Sequence, residues 1–376
     1  MTFLLRPSLL FFTNPEWGQA NVILATIHEF LVVDQYDDFE QSFQPRLGML
    51  WKYPALASAF PFPIPWHLVP ANIYLWVRMA KTIAGAALDK SSRLRKVNDA
   101  RGACGLHGPP PVINASKVAS RIICPSLPEL DFPMRVRPTT FGCGPIALPK
   151  RVLGELDPQM DMWLRRKGMK TILVNLGTHH TMDSTLSLEI ARTLKQILDK
   201  VSDLQILWKI MLRGDGQQED IVKVFGPELF TQKRIRLERW LKADPVALLD
   251  TGKVIAQVHH GGANTYFECC QSGVPQVILA SWWDTYEYAA RVEYLGVGVF
   301  ANKKAAPRAQ NDEFLAALLE VIGNPEMSAK ARELASVCQR NGEGRVRARD
   351  LIVDILHTQG STAHDNFLEA EAAEQG

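Results

Sequence analysis

The sequence predicts an α/β protein of two domains with parallel sheets covered on both faces, and three observations carry that prediction. The chain has 376 residues, more than one hydrophobic core usually organises. From about residue 170 onward, short apolar runs alternate with segments of helical period, the pattern that builds parallel sheets through crossover helices. The apolar runs are nearly continuous, as strands buried on both faces are. Composition agrees: 47% hydrophobic and 22% charged residues describe a packed globule and exclude a disordered chain. A formal charge of +2 gives no bulk electrostatic drive toward nucleic acid.

Taken in order, Leu9 to Phe12 reads as a first buried strand and Ala20 to Leu31 as a helix, with Val22, Ile23, Ile27, Phe30 and Leu31 on one side. The opening run has no basic leader before it and no small-residue cleavage site after it, so a strand is expected rather than a signal peptide. From Phe39 to Pro70 aromatics and prolines accumulate, which predicts an ordered loop without regular elements. Ala71 to Leu88 is interrupted by Arg78 and Lys81, costly residues at a bilayer centre, and fits an amphipathic helix better than a membrane span. Ser91 to Arg101 reads as a solvated helix face. Ile122 to Cys124 is a short strand, and Phe141 to Lys150 has the glycine and proline density of an interdomain hinge.

Beyond the hinge, strands are expected at Thr171 to Leu176, Leu204 to Lys209, Ile235 to Leu237, Val254 to Val258 and Val274 to Leu279. Helices are expected at Ser184 to Lys200, Ala263 to Gln271 and Asn311 to Ile322. The division is therefore residues 1–150, residues 151–356 and a flexible acidic tail at 357–376. None of the six cysteines forms a C-x-x-C pair, so free thiols in a reducing compartment are expected, and with no leader or anchor a cytoplasmic location follows.

The densest chemical signal runs from Gln257 to Gly298. A buried strand leads into His259-His260-Gly261-Gly262 and at once into a helix whose first turn holds Asn264 and Thr265. Unpaired first-turn N–H groups and the helix dipole make such a junction an anion site, and the glycines allow a phosphate close to the backbone. Successive strand residues face opposite ways, so one histidine should face the phosphate and the other the protein. No third or fourth ligand is spaced for zinc, and no metal is expected. Glu268 admits two readings: the glutamate of a T-x-x-E capping box begun by Thr265, or a carboxylate that accepts hydrogen bonds from a ribose diol.

These residues resemble the donor-binding signature of family 1 UDP-sugar-dependent glycosyltransferases, closest in wording to the fungal and bacterial branches. Asn264 and Thr265 stand four and five after His260, Glu268 eight after it, Gly273-Val274-Pro275 five beyond Glu268, and Asp284 eleven beyond Gly273. The resemblance implies the GT-B fold, two Rossmann-like domains with parallel sheets facing across a cleft. It implies that His260, Gly262, Asn264 and Thr265 hold the diphosphate, Glu268 the ribose, and Trp282, Asp284 and Thr285 the sugar. Trp240 matches the tryptophan that stacks on uracil, and Thr178, in Leu176-Gly177-Thr178, matches a second phosphate turn. The sequence departs from the family at Thr285, where a glutamine is usual, and at Lys242-Ala243, where Pro-Gln follows the stacking tryptophan.

In the resembled family a histidine oriented by an aspartate deprotonates the acceptor hydroxyl, which attacks the anomeric carbon with inversion and without a metal cofactor. Gln19 occupies the position of that histidine, and an amide cannot take the proton, so Gln19 is expected to position an acceptor or a water. His28 is the substitute base if it faces the cleft, and Asp34 resembles the orienting aspartate. Compared with the family, the amino-terminal half lacks material near residue 31. The expected activity is inverting transfer of a hexose, glucose by default, from a UDP-sugar to a hydroxyl of a small hydrophobic acceptor such as a secondary metabolite, with the aromatic Trp51 to Trp66 stretch as the acceptor wall. The alternative is a catalytically impaired UDP-sugar-binding or partner protein on the same scaffold; a nucleotide-sugar epimerase or hydrolase is a third reading.

Overall fold

The structure is a computed structural model that describes residues 49–88, 93–105, 121–133 and 138–355. The readings at Leu9 to Phe12, Ala20 to Leu31, Gln19, His28, Asp34 and the acidic tail lie outside these residues.

Helix α1 (Val69–Leu88) and helix α2 (Arg93–Ala103) come first. Pro70 sits in the first turn of α1, where its missing N–H would have had no intrahelical acceptor. Short helical turns at Met49–Lys52 and Trp66–Leu68 also occur in the proline-rich stretch, so the prolines there set helix starts rather than forbid helices. The fully buried Asn72 pins this stretch to α1. Its Oδ1 accepts from Ala55 N–H at 2.6 Å, and its Nδ2 donates to the carbonyls of Leu50 (2.8 Å) and Tyr53 (2.9 Å), satisfying an amide that would otherwise be costly to bury. Among the described residues, no helix is long and apolar enough to cross a membrane.

Strands β1 (Ile122–Cys124) and β2 (Thr140–Gly142) pair in parallel. The helical residues 344–355 pack back on this pair through Cys143, Ile146, Ala348 and Ile352. The predicted hinge is therefore a packed crossing: a Cβ at Gly344 would lie 2.4 Å from the carbonyl oxygens of Gly144 and Pro145.

The main body is a six-stranded parallel sheet of β3 (Lys170–Asn175), β4 (Leu204–Lys209), β5 (Ile235–Glu238), β6 (Val254–His259), β7 (Gln276–Ile278) and β8 (Gly298–Phe300), in the order β5-β4-β3-β6-β7-β8. Along β3, Ile172 and Val174 enter one core with Trp208, Ile190 and Leu194, while Leu173 enters the other with Leu207, Leu248 and Cys269. Side chains alternate across a strand, so two covered faces require the unbroken apolar run seen in the sequence. The helices around the sheet include the crossovers α3 (Ser184–Lys200), α4 (Ala263–Ser272) and α5 (Thr285–Leu295), followed after the last strand by α6 (Asn311–Gly323) and α7 (Pro325–Arg340). Helix α3 starts where Asp183 caps it, the carboxylate accepting from Leu186 N–H at 3.0 Å.

The amino-terminal segments rest on α4 and α5. Tyr266 donates to the Leu130 carbonyl at 2.5 Å, Ala57 N–H donates to Glu287 at 2.8 Å, and the buried Arg291 pairs with Asp131 at 3.2 Å. Phe62 packs against Tyr53, Phe132 and Tyr294, with ring centroids 4.9–5.3 Å apart. The Trp51 to Trp66 stretch thus spends Tyr53 and Phe62 on packing against this second body, while Trp51 and Trp66 remain 53% and 85% exposed. That corrects the expectation that the stretch as a whole forms an acceptor wall.

Candidate functional site

The strand order reverses direction between β3 and β6, and in open parallel sheets ligands bind beyond the carboxyl ends of the strands at such a switch point. Three loops meet there, after β3, β6 and β7. The first is turned by Asn175, whose Oδ1 accepts from Gly177 N–H at 3.1 Å, with Gly177 at φ +85°. A Cβ on Gly177 would fall 2.7 Å from Cε1 of His260, and one on Gly262 would fall 2.6 Å from its Nε2. The His260 imidazole is held between two glycines, so neither position tolerates a side chain without displacing it.

The paired histidines divide as strand alternation requires. His259 is fully buried; its Nδ1 accepts from Gly261 N–H at 3.1 Å and its Nε2 lies 2.9 Å from Gln276 Oε1. The first bond assigns the proton to Nε2, which donates to Gln276. Burial pushes its pKa down to about 4, leaving the ring neutral. His260, just past the end of β6, is half-buried, with its Nδ1 covered and without a hydrogen-bond partner among the described residues. Burial first, and then the charges possible on His259, His180, His179 and Lys209, hold its pKa well below the ordinary histidine value.

Helix α4 begins at Ala263 with Gly262 as its N-cap, and the first bond closed within the helix runs from Tyr266 N–H to the Gly262 carbonyl at 3.0 Å. The preceding turn of amides and the positive dipole end open onto the switch point. This start also separates the two readings of Glu268. With the cap at Gly262, Thr265 is already inside the helix and the capping box does not form. Thr265 is buried and Asn264 half-buried in that first turn, and Glu268 follows one turn later, half-buried. Burial, with Asp244 adding repulsion, pushes the Glu268 carboxyl up to about 8.

Trp282, in the loop after β7, packs on His260 with ring centroids 4.9 Å apart. Asp284 stands half-buried at the head of α5. Thr285 requires a correction. It is fully buried, its hydroxyl accepts from the backbone N–H of Ser281 (2.9 Å) and Trp282 (3.1 Å), and it donates to the Trp282 carbonyl at 2.6 Å. A hydroxyl so committed shapes the Trp282 loop and is not presented to a sugar. Thr178 is half-buried in the β3 loop. Trp240, 54% exposed beyond the end of β5, carries Lys209 Nζ 4.3 Å from its ring centroid.

Two residues escaped the sequence reading. His180 is buried next to both His260 (6.2 Å between centroids) and Trp282 (6.0 Å, nearly parallel). Lys209 is buried at the end of β4, where burial lowers its pKa. A lysine closing a mainly apolar strand was a usable signal, since a buried ammonium is tolerated only with a reason. His180 gave a weaker one, a second histidine pair just after a Gly-Thr turn. Among the described residues no group of three or more His, Cys, Asp or Glu is placed to hold a metal ion.

Comparison with known proteins relates the chain to glycosyltransferases. Residues 231–341 match the family described as erythromycin biosynthesis protein CIII-like, C-terminal domain. Glycosyltransferase sdnJ of Sordaria araneosa is 36% identical over 340 residues, covering 83% of this chain and 64% of that protein. Erythritol-mannosyl-transferase 1 of Pseudozyma antarctica (strain T-34) is 32% identical over 136 residues, 35% of this chain and 21% of that protein. The chain therefore spans less than two thirds of the length of these curated relatives. Among solved structures, the glycotransferase of kitacinnamycin superposes with a TM-score of 0.55 at 22% identity, over 75% of this chain and 67% of that one, a likeness of fold. The chain is thus similar to the family-1-like glycosyltransferases and has the GT-B fold of the solved structures it superposes on.

Proposed function

We propose that this protein transfers a hexose, glucose by default, from a UDP-sugar to a hydroxyl group of a small hydrophobic acceptor, with inversion at the anomeric carbon and no metal cofactor. The observation that carries the reading is His260, fixed between Gly177 and Gly262 beside a helix amino terminus at the switch point. In this reading His260 and the first turn of α4 take the diphosphate, Glu268 the ribose, Trp240 the uracil, and Trp282 with Asp284 the sugar. The acceptor oxygen attacks as the UDP leaving group departs, and the proton it loses goes to a base on the amino-terminal side, for which His28 and Asp34 are the candidates around Gln19.

Incubation with UDP-glucose and a panel of phenols, following UDP release and glycoside formation together, tests the reading. Glycoside formed in step with UDP is expected. UDP binding without product would leave the non-catalytic UDP-sugar-binding reading, which Gln19 in place of a base favours. Release of UDP without glycoside would indicate a hydrolase.

Two substitutions test the donor site. His260→Ala is expected to weaken UDP binding by about tenfold or more, since a hydrogen bond to a charged ligand contributes roughly 1.5–3 kcal/mol; unchanged affinity in isothermal titration would remove His260 from the site. Gly177→Ala meets both a left-handed backbone, at a cost of about 1–3 kcal/mol, and the His260 ring 2.7 Å away. A lower melting temperature together with weaker UDP binding is expected for it, and a shift in neither would contradict the packing described.

A further inference from the structure

Helix α1 and the stretch before it leave aromatic and basic side chains in solvent together. Trp66, in the turn that leads into the helix, is 85% exposed, and Tyr74 and Val77 within it are 62% and 46% exposed. The exposed Trp51 stands between Leu50 and Tyr53, whose carbonyls Asn72 holds at the start of α1. Arg78 and Lys81, also exposed, follow Tyr74 by four and seven residues and so share its side of the helix. From Met49 to Leu88 the chain has no Asp or Glu. Residues 49–105 hold eight Lys and Arg against two Asp, a charge of +6 in a chain whose total is +2. Helix α2 adds the exposed Arg95 and Lys96 to this basic region.

Independently of the sugar-transfer reading, we propose that this face docks on an anionic lipid bilayer, with α1 lying in the plane of the interface. Tryptophan and tyrosine rings settle at headgroup level because an apolar ring with a polar edge suits the boundary between hydrocarbon and water. The apolar stems of Arg78 and Lys81 lie along the helix while their charges stay level with the lipid phosphates. The same two cations keep α1 out of the bilayer centre, so the contact is with the surface and does not span it. A stretch free of carboxylates meets no repulsion from a negative surface, and the local charge of +6 supplies the attraction that the chain as a whole lacks.

Flotation of the full chain with vesicles tests this, using phosphatidylcholine alone and phosphatidylcholine mixed with phosphatidylserine in equal parts. Binding to the mixed vesicles is expected, reduced by salt and much weaker on phosphatidylcholine alone. Arg78→Gln with Lys81→Gln should lower the partition coefficient about twentyfold or more, since each basic residue near such a surface contributes roughly fivefold. Trp66→Ser with Tyr74→Ser should lower it about tenfold or more by withdrawing apolar surface from the interface. All four side chains are exposed, so both variants should keep the melting temperature of the unmodified chain. Equal partitioning of the unmodified chain and both variants would assign binding to another surface and overturn the proposal. Absence of binding to the mixed vesicles at low salt would overturn it as well. A concentration-dependent dimer that Trp66→Ser with Tyr74→Ser abolishes, without vesicle binding, would give the face to a second copy instead.

Discussion

Asp131→Ala is expected to destabilise the protein by about 3–5 kcal/mol, the usual consequence of stranding one member of a buried ion pair. Both side chains are out of solvent, at 1% for Asp131 and 0% for Arg291, with 3.2 Å between Arg291 Nε and Asp131 Oδ1. The guanidinium also lies 4.8 Å from the ring centroid of Tyr288, 5.7 Å from that of Phe132 and 5.8 Å from that of Tyr266. Such rings attract a cation but do not replace the carboxylate. Removing Asp131 takes a carboxylate away from a charge that sits among aromatic rings, out of reach of water. Urea denaturation at neutral pH reads the effect, and a loss below about 1 kcal/mol would mean that the pair is solvated in solution. The double replacement Asp131→Leu with Arg291→Met is expected to recover most of the loss, because well-packed apolar residues commonly match a buried pair. The location gives the pair its structural role. Arg291 is on α5, the helix headed by Asp284, and Asp131 is on the segment that joins the amino-terminal part to it.

How far the sequence could be read depended on whether a local pattern had a single physical cause. The strand Leu204–Lys209 and the helix Ser184–Lys200 were legible to the residue, since one is a short, mainly apolar run and the other repeats Leu186, Ile190, Leu194 and Ile197 on one face. Helix α5 went unread because its sequence, TYEYAARVEYL, follows two tryptophans and buries Glu287 and Arg291, so apolar periodicity does not mark its inner face. What makes those positions internal is the Asp131 pairing and the Ala57 bond to Glu287, from partners about 160 and 230 residues earlier in the chain. The donor site was read through spacing: His260, Asn264, Thr265 and Glu268 lie along one loop and helix. His180 reaches the same place from another strand, a juxtaposition that only the β3–β6 crossover creates. Thr285 shows the converse error, because position in a motif does not reveal that a hydroxyl is already committed to its own loop.

Glu268 supplies the second large expected effect, a trade of stability against binding that depends on pH. Its carboxyl is held at about 8 by burial and by Asp244, against about 4.3 in an unfolded chain. A carboxyl raised in the folded state stabilises the fold below its unfolded pKa, and that contribution is lost as pH rises toward and through about 8. Glu268→Gln keeps the shape and cannot ionise, so its stability relative to the unmodified protein should increase between pH 5 and pH 9. Because Glu268 is half-buried rather than sealed, a gain of roughly 1–2 kcal/mol is expected, discounted for screening by water. Binding should move the other way. Two ribose hydroxyls donate best to a carboxylate, so UDP selects the ionised form and its binding near pH 7 should expel part of a proton from Glu268. Titration in buffers of different ionisation enthalpy measures that proton, and subtracting the Glu268→Gln result separates it from any uptake by His180 or His260. A variant that gains stability at pH 9 while losing both UDP affinity and proton release would place the ribose at Glu268. A variant that gains stability with UDP affinity intact would show that the carboxyl is strained by its surroundings for some other purpose.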